Sequence, residues 1–273
     1  MYAINNKIFD LSTPKIMGIL NVTPDSFFDG GKYVSEKNIL AQVEKMLTDG
    51  ADIIDIGGMS TRPKAELINE EIETERVLNA LKFIKKEFPD ALISIDTFRS
   101  GLARKSIQEG AHIINDISGG NFDAQMFQTV LDTKATYVLM HSRGTFETMM
   151  HKTHYENLIT DVLDELITKL RFFKENNFNN LIIDIGVGFS KTVEQNFELL
   201  RNLPIFKIIE FPLLVGVSRK SMIWRTLNIA STDALNGTTA LNFYALQQGA
   251  QILRVHDVLQ ACQTITLFKK LKL

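Results

Sequence analysis

Two textures alternate along this chain. Short runs that are apolar on nearly every residue and rich in β-branched side chains recur eight times: Lys15–Val22, Ala51–Gly57, Leu92–Asp96, His112–Ile117, Thr136–His141, Leu181–Gly186, Pro212–Ser218 and Gln251–Val255. Such runs suit parallel strands covered on both faces. Longer stretches with apolar residues at helical spacing lie between them, among them Asn69–Phe88, His154–Asn176, Val193–Asn202 and Ala234–Gln248. Gly50, Gly110 and Gly249 each sit one residue past a helical run, where a left-handed cap ends a helix. Ahead of these units, Tyr2–Leu11 alternates about Asn5-Asn6, which predicts a β-hairpin able to plug one end of a barrel.

Eight strand–helix units in 273 residues predict an α/β fold of the (β/α)8 (TIM) barrel class with a short N-terminal β-hairpin, one domain over residues 1–273. An open doubly wound sheet is the alternative, but its usual mark, a glycine-rich dinucleotide turn after an early strand, is missing. Composition changes this picture little. Hydrophobic residues at 45% supply a sizeable core, and a net charge of -2 gives no electrostatic case for nucleic acid or an anionic membrane. The one cysteine, Cys262, excludes an intramolecular disulfide and is expected to be buried and inert. With no bilayer-length apolar run and no signal-peptide pattern in Met1–Leu11, a cytoplasmic protein is expected. The histidines lack metal-ligand spacing, so no tightly held zinc is expected, and His151 and His154 read as surface.

The chemistry collects at the strand ends, where such barrels carry their sites. In chain order these ends bring Asn21, Asp55 with Gly57-Gly58, Asp96-Thr97, Asn115-Asp116, His141, Asp184, Ser218 to Ser221, and Arg254 with His256. One carboxylate at a strand end is an ordinary helix cap; polar groups at all eight favour a site. Arg254 and His256, two apart, share a face, as Ser218 and Lys220 do, so two neighbouring strands are expected to form a cationic pocket fit for phosphate oxygens. The alternative is a structural Arg–Asp pair, for instance with Asp257. Asp96, Asn115 and Asp184 differ in character, since buried carboxylates need donors and a heterocycle with an amidine-like N–H edge supplies two at once. The residues thus point to a phosphorylated heterocycle held at a barrel top. Ahead of this wall, Ile16–Gly31 runs from a strand into a polar and aromatic loop, expected to be a lid with Pro24 stiffening its entry and Gly30-Gly31 freeing its exit.

Eight segments carry a further signal. NVTPDSF at 21–27, DIGGMSTRP at 55–63, IDTFR at 95–99, NDISGG at 115–120, MHSRG at 140–144, DIGVGFSK at 184–191, GVSRKS at 216–221 and RVHDV at 254–258 resemble the dihydropteroate synthase family, in its order and over nearly the whole chain. The resemblance implies a folate-biosynthesis enzyme that condenses 6-hydroxymethyl-7,8-dihydropterin diphosphate with p-aminobenzoate. It implies that Asp96, Asn115, Asp184 and Lys220 hold the pterin, with Met140 packed near its ring. Asn21, Arg254 and His256 would hold the diphosphate, Asn21 through a bound Mg²⁺. Thr61, Arg62, Pro63, Phe189 and Ser221 would frame p-aminobenzoate, and Asp25 and Phe27 belong to the mobile first loop. Catalytic weight would fall on Asp25, Asp184, Lys220 and Arg254. Partners would be the two small-molecule substrates and a second copy in a homodimer, for which Phe243 and Tyr244 are candidates. The chain departs from the common pattern at Met59, Ser142, Phe146 and Ile185, which puts loop conformations and p-aminobenzoate affinity at stake.

Several of these residues have plainer readings. Asn21 alone reads as a turn former, Asp25 as a cap, Arg62 as a solvated loop charge and His141 as a hydrogen-bonded barrel residue. Two other functions compete. A methyltetrahydrofolate–corrinoid methyltransferase shares the barrel and pterin grip but needs neither the Ser-Thr-Arg-Pro loop, the Ser-Arg-Lys-Ser turn nor a diphosphate pocket. A non-catalytic pterin-binding protein is expected to have lost Asn21, Asp25, Arg254 or His256, all of which are here.

Overall fold

The computed structural model describes residues 2–4, 7–23, 36–59 and 67–271. Two short strands, β1 (Tyr2–Ile4) and β2 (Lys7–Phe9), pair antiparallel with Tyr2 opposite Phe9. Eight more close a parallel barrel: β3 (Lys15–Asn21), β4 (Ile53–Gly57), β5 (Ile93–Asp96), β6 (Ile113–Asp116), β7 (Thr136–Met140), β8 (Leu181–Asp184), β9 (Leu213–Val215) and β10 (Ile252–Val255). They neighbour one another in chain order, and β10 returns to β3. The helices are α1 (Glu36–Thr48), α2 (Glu70–Glu87), α3 (Ser100–Gln108), α4 (Met126–Thr133), α5 (Leu158–Glu175), α6 (Val193–Arg201), α7 (Ser221–Leu227), α8 (Leu235–Gln248) and α9 (Val258–Leu271). The predicted (β/α)8 barrel and the hairpin ahead of it are both present, with the Asn5-Asn6 turn outside the described residues.

Alternation along each strand sorts the core into two parts. One set, including Ile16, Ile54, Ile114, Tyr137, Ile183, Val215 and Leu253, packs outward against the helices. The other set points into the barrel, and Met17, Ile53, Ile113, Val138, Ile182, Leu214 and Ile252 form a separate apolar layer there. Phe9 and Leu11 pack against that layer, so the hairpin closes the barrel from below. Each fully buried aliphatic of this kind contributes about 1.5–3 kcal/mol.

Helix ends follow the local chemistry. The Asn69 side chain accepts from Glu71 N at 2.8 Å, and Thr192 and Gln195 form a reciprocal capping box. Gly50, Gly110 and Gly249 hold φ of 102°, 98° and 108°, the left-handed conformation expected of them. Expected boundaries move in places: the strand expected over Pro212–Ser218 stops at Val215, and one helix starts late. The helix expected from His154 starts at Leu158, because Asn157 is extended and its side chain accepts from Thr160 N at 3.0 Å. Cys262 is half-buried rather than buried, lying on the rim of the outer core. Among the described residues no helix is long and apolar enough to cross a membrane.

Candidate active site

One step above the apolar layer, the inward positions change character. Two residues along each strand, Ile53 gives way to Asp55, Ile113 to Asn115, Ile182 to Asp184 and Ile252 to Arg254. The parallel ladders place Asn21, Gly57, Asp96 and Asn115 side by side on four consecutive strands, and Met140 beside Asp184 on two more. Asp55, Asp96, Asn115 and Asp184 are all buried, and Met140 is buried with them. The expected pterin residues therefore come together on one inner wall.

Arg254 organises that wall. Its Nε donates to Asp55 Oδ2 at 2.7 Å, and Nη2 donates to Asp96 Oδ2 at 2.5 Å. Asp55 Oδ2 also accepts from Asn115 Nδ2 at 2.9 Å, while its Oδ1 is buried without a hydrogen-bond partner among the described residues. Arg254 thus has a structural pair, as the alternative reading held, but its partners are Asp55 and Asp96. Asp257 instead takes Arg219, at 2.7 and 3.0 Å. Burial pushes the Asp96 carboxyl up to about 7, against the pull of Arg254, and neighbouring Asp55 adds to the rise. Burial likewise raises Asp184, opposed chiefly by Lys220. Three carboxylates face two cations, Arg254 and Lys220, an imbalance that an N–H-donating ligand edge would relieve.

The cationic pocket expected from four residues of neighbouring strands does not form as one face. β9 ends at Val215, and Arg219 is left-handed at φ 54°, so strand alternation does not carry on to Lys220. Ser218 Oγ lies 3.0 Å from His256 Nδ1 and accepts from His256 N. Lys220 turns the other way: its ammonium donates to Val187 O, beyond the end of β8, and stands 4.7 Å from the Phe189 ring centroid. Burial pushes the Lys220 amine down to about 8, while Asp184 draws it back up. Lys220 thus sits between Asp184 and Phe189, and Ser221 opens α7 directly after it.

Above the polar wall lies a second apolar cluster of Met59, Phe98, Ile117, Met140, Met149 and Phe189, with Phe122 and Phe146 packed against it. The Phe98 and Phe122 rings meet edge-on at 5.2 Å. Met59 and Phe146, two departures from the family pattern, both join this rim; a third, Ile185, is buried in the outer core. Asp25, Phe27, the Thr23–Gly31 lid beyond Thr23, and Thr61, Arg62 and Pro63 lie outside the described residues.

Among the other buried polar groups at this end of the barrel, Asp55 and His141 are marked by their places at strand ends, and Glu73 is not. Glu73 sits on α2, yet it is buried, pairs with Arg99 at 2.5 Å and accepts from Thr97 at 3.0 Å. Lys191 is 6% exposed and His141 1%, joined to each other below Phe189.

For a divalent cation the relevant donor is Asn21. Its side chain ends β3 at the edge of the wall and has no hydrogen-bond partner among the described residues, where no group of three or more acidic, histidine or cysteine side chains is placed to hold a metal. One hard oxygen donor suits Mg²⁺, which is commonly shared between few protein groups, water and substrate phosphates.

Comparison with known proteins agrees with this geometry. A family model described as pterin binding enzyme matches residues 17–256. The chain is 42% identical over 260 residues to dihydropteroate synthase of Haemophilus influenzae, covering 94% of each. It superposes on the Yersinia pestis dihydropteroate synthase, solved as a sulfonamide drug complex, with a TM-score of 0.92 at 36% identity, covering 99% of this chain and 98% of that one. The Xanthomonas albilineans enzyme, solved with 4-aminobenzoic acid, gives a TM-score of 0.90 at 32% identity, covering 98% and 96%. The chain belongs to the pterin-binding enzyme family, and the relatives it matches along nearly their whole length are dihydropteroate synthases.

Proposed function

We propose that the protein, working as one domain, condenses 6-hydroxymethyl-7,8-dihydropterin diphosphate with p-aminobenzoate to give 7,8-dihydropteroate and pyrophosphate in folate biosynthesis. The observation that carries this reading is the buried inner wall of Asp96, Asn115 and Asp184 beside Arg254, with the Lys220 ammonium close enough to Asp184 to be drawn up by its charge. Asp184 takes the 2-amino and N3 edge of the pterin, Lys220 the opposite edge, and Asp96 and Asn115 the remaining polar atoms. Met140 packs against the ring. Arg254, His256 and Asn21 face the diphosphate, and Phe189 and Ser221 line the approach of p-aminobenzoate together with Thr61, Arg62 and Pro63.

In the reaction the C–O bond to diphosphate breaks, the aryl amine forms a C–N bond at the exocyclic carbon, and the proton it sheds passes to solvent or to the departing pyrophosphate. An aryl amine is already nucleophilic, so no strong general base is needed. We infer a dissociative order in which charge leaves with the diphosphate, and Arg254 and His256 stabilise it where it grows. Mg²⁺, held by Asn21 and the diphosphate, would supply further neutralisation of that leaving group. Asp96 and Asp184 stabilise positive charge spread into the pterin, and the apolar rim excludes water.

The experiment is an incubation of purified protein with both substrates, with and without Mg²⁺. Dihydropteroate forms, and omission of the metal slows it by at least about tenfold; folded protein that makes no product refutes the assignment. With p-aminobenzoate left out, positional isotope exchange within the diphosphate is expected, and its complete absence would refute the dissociative order.

A cytoplasmic homodimer completes the reading. Leu259, Leu267 and Leu271 are exposed along α9, and Ile205 and Ile208 are exposed ahead of β9, an apolar surface that a second copy would cover. Phe243 is tied to Phe268 edge-on at 6.1 Å, so it and Tyr244, both packed on the outer core, support such a face from behind. Light scattering should give twice the chain mass; a monomer at micromolar concentration refutes the dimer.

A further inference from the structure

The segment between β8 and α6, residues 186–190, carries Phe189 to the site and is bonded at every residue. Asp184 Oδ1 accepts from Gly186 N at 2.8 Å, Val187 O accepts from Lys220, Asn196 Oδ1 accepts from Gly188 N at 2.6 Å, and Ser190 O accepts from Tyr155 at 3.0 Å. Its backbone is left-handed at alternate positions, with φ of 72° at Gly186, 85° at Gly188 and 53° at Ser190. Glycine adopts this region freely, so the strain falls on Ser190, which its surroundings must hold.

Lys191 is the largest part of those surroundings. Its ammonium donates to Gly186 O at 3.0 Å, to Phe189 O at 2.9 Å and to His141 Nδ1 at 3.0 Å. An ammonium has three protons and no acceptor, so these three bonds saturate it in a buried place. As an ammonium Lys191 only donates, and Glu165 only accepts, so His141 carries its proton on Nε2, 3.1 Å from Glu165 Oε2; burial pushes the Lys191 amine down to about 7, and the arrangement belongs to the pH range below that value. Burial first, and the Lys191 charge second, push His141 down to about 4, keeping that neutral tautomer. Glu165 Oε1 in turn accepts from Arg143 Nε at 2.8 Å, and Arg143 N donates to Ser190 Oγ at 2.9 Å, closing the circuit on the same segment.

We propose that Lys191 is a positioning residue for the condensation: it holds Gly186 and Phe189 by their carbonyls, fixes the Phe189 ring beside Lys220, and is itself held from α5 through His141, Glu165 and Arg143. The inference rests on the function proposed above and gives four residues outside the expected ligand set, Lys191, His141, Glu165 and Arg143, a part in p-aminobenzoate selection. A lysine that served packing alone would affect both substrates through stability; a positioning lysine affects the substrate that meets Phe189.

Lys191→Met in the full chain keeps the aliphatic stem and removes all three donors. The KM for p-aminobenzoate is expected to rise about tenfold or more, and the Kd for the dihydropterin diphosphate, whose ligands Asp184 and Lys220 bond the same segment, by a factor at least about threefold smaller. Glu165→Ala, at a half-exposed helix position, should shift the same KM by about threefold. Imidazole ¹⁵N spectra of the wild-type protein at about pH 6, below the lowered Lys191 value and above that of His141, should show His141 protonated at Nε2 and not at Nδ1. An unchanged KM in Lys191→Met, or equal losses for both substrates that track a lower melting temperature, overturns the inference, as does an Nδ1–H tautomer. If Lys191→Met fails to fold, Glu165→Ala decides: a selective rise in KM supports positioning and a wild-type KM overturns it. Wild-type dihydropteroate formation is measured first, so a failure of the proposed reaction is seen separately, and the imidazole spectrum needs no activity.

Discussion

Asp184→Ala is expected to abolish measurable binding of the dihydropterin diphosphate, and Asp184→Asn to weaken it at least about a hundredfold, close to 3 kcal/mol. Two charge-assisted hydrogen bonds to one ligand edge, at about 1.5–3 kcal/mol each, account for that loss. The unliganded protein should not suffer in parallel. Burial raises the Asp184 pKa, so the stability this group contributes is present below the ordinary carboxylate range and is lost as pH rises through its folded value. Ionisation of this buried carboxyl is therefore a burden on the fold, and asparagine removes the charge while keeping an acceptor for Gly186 N. Calorimetry of binding and of unfolding tests both halves. An asparagine variant that binds within about threefold of wild type, roughly 0.6 kcal/mol, would place the pterin grip elsewhere.

The second large effect belongs to Arg254. Arg254→Ala leaves Asp55 and Asp96 buried without their shared cation, which is expected to cost about 3–5 kcal/mol of stability in addition to turnover. The cost has a pH signature. In the wild-type protein Asp96 is raised from 3.8 to about 7, so its contribution is full below 3.8 and lost as pH rises through about 7. Loss of Arg254 raises that carboxyl further, and the variant takes up a proton to neutralise the site. Its deficit against wild type should thus be smaller at pH 6 than at pH 9, in urea unfolding at both. A deficit that is flat with pH, or below about 1 kcal/mol, would mean that the ion triad does not hold the wall together.

Both predictions depend on residues whose types were legible in the chain but whose partners were not. Asp184 and Arg254 stand at strand ends, and a charged residue closing an apolar run is visible without any structure. That Arg254 reaches Asp55, 199 positions away, and not its neighbour Asp257 depends on barrel closure between β10 and β3. Lys220 shows the limit of periodicity: alternation paired it with Ser218, and a single left-handed residue, Arg219, turned it toward β8 instead. Lys191 closes one of the family-like segments and Glu165 lies within a helical run, and no spacing in the chain joins them in one relay.

The sequence by itself determined the architecture, because strand and helix periods are local properties and eight apolar runs with helices between them have few ways to bury their faces. It also determined which strand ends carry polar groups, since inward positions change from isoleucine to aspartate, asparagine and arginine within two residues. Only the tertiary structure decided how those charges are paired, which lysine faces the site and which one braces it from behind. The reason is physical: electrostatic and hydrogen-bond energies depend on distances of a few ångströms between side chains far apart in the chain, and barrel closure sets those distances.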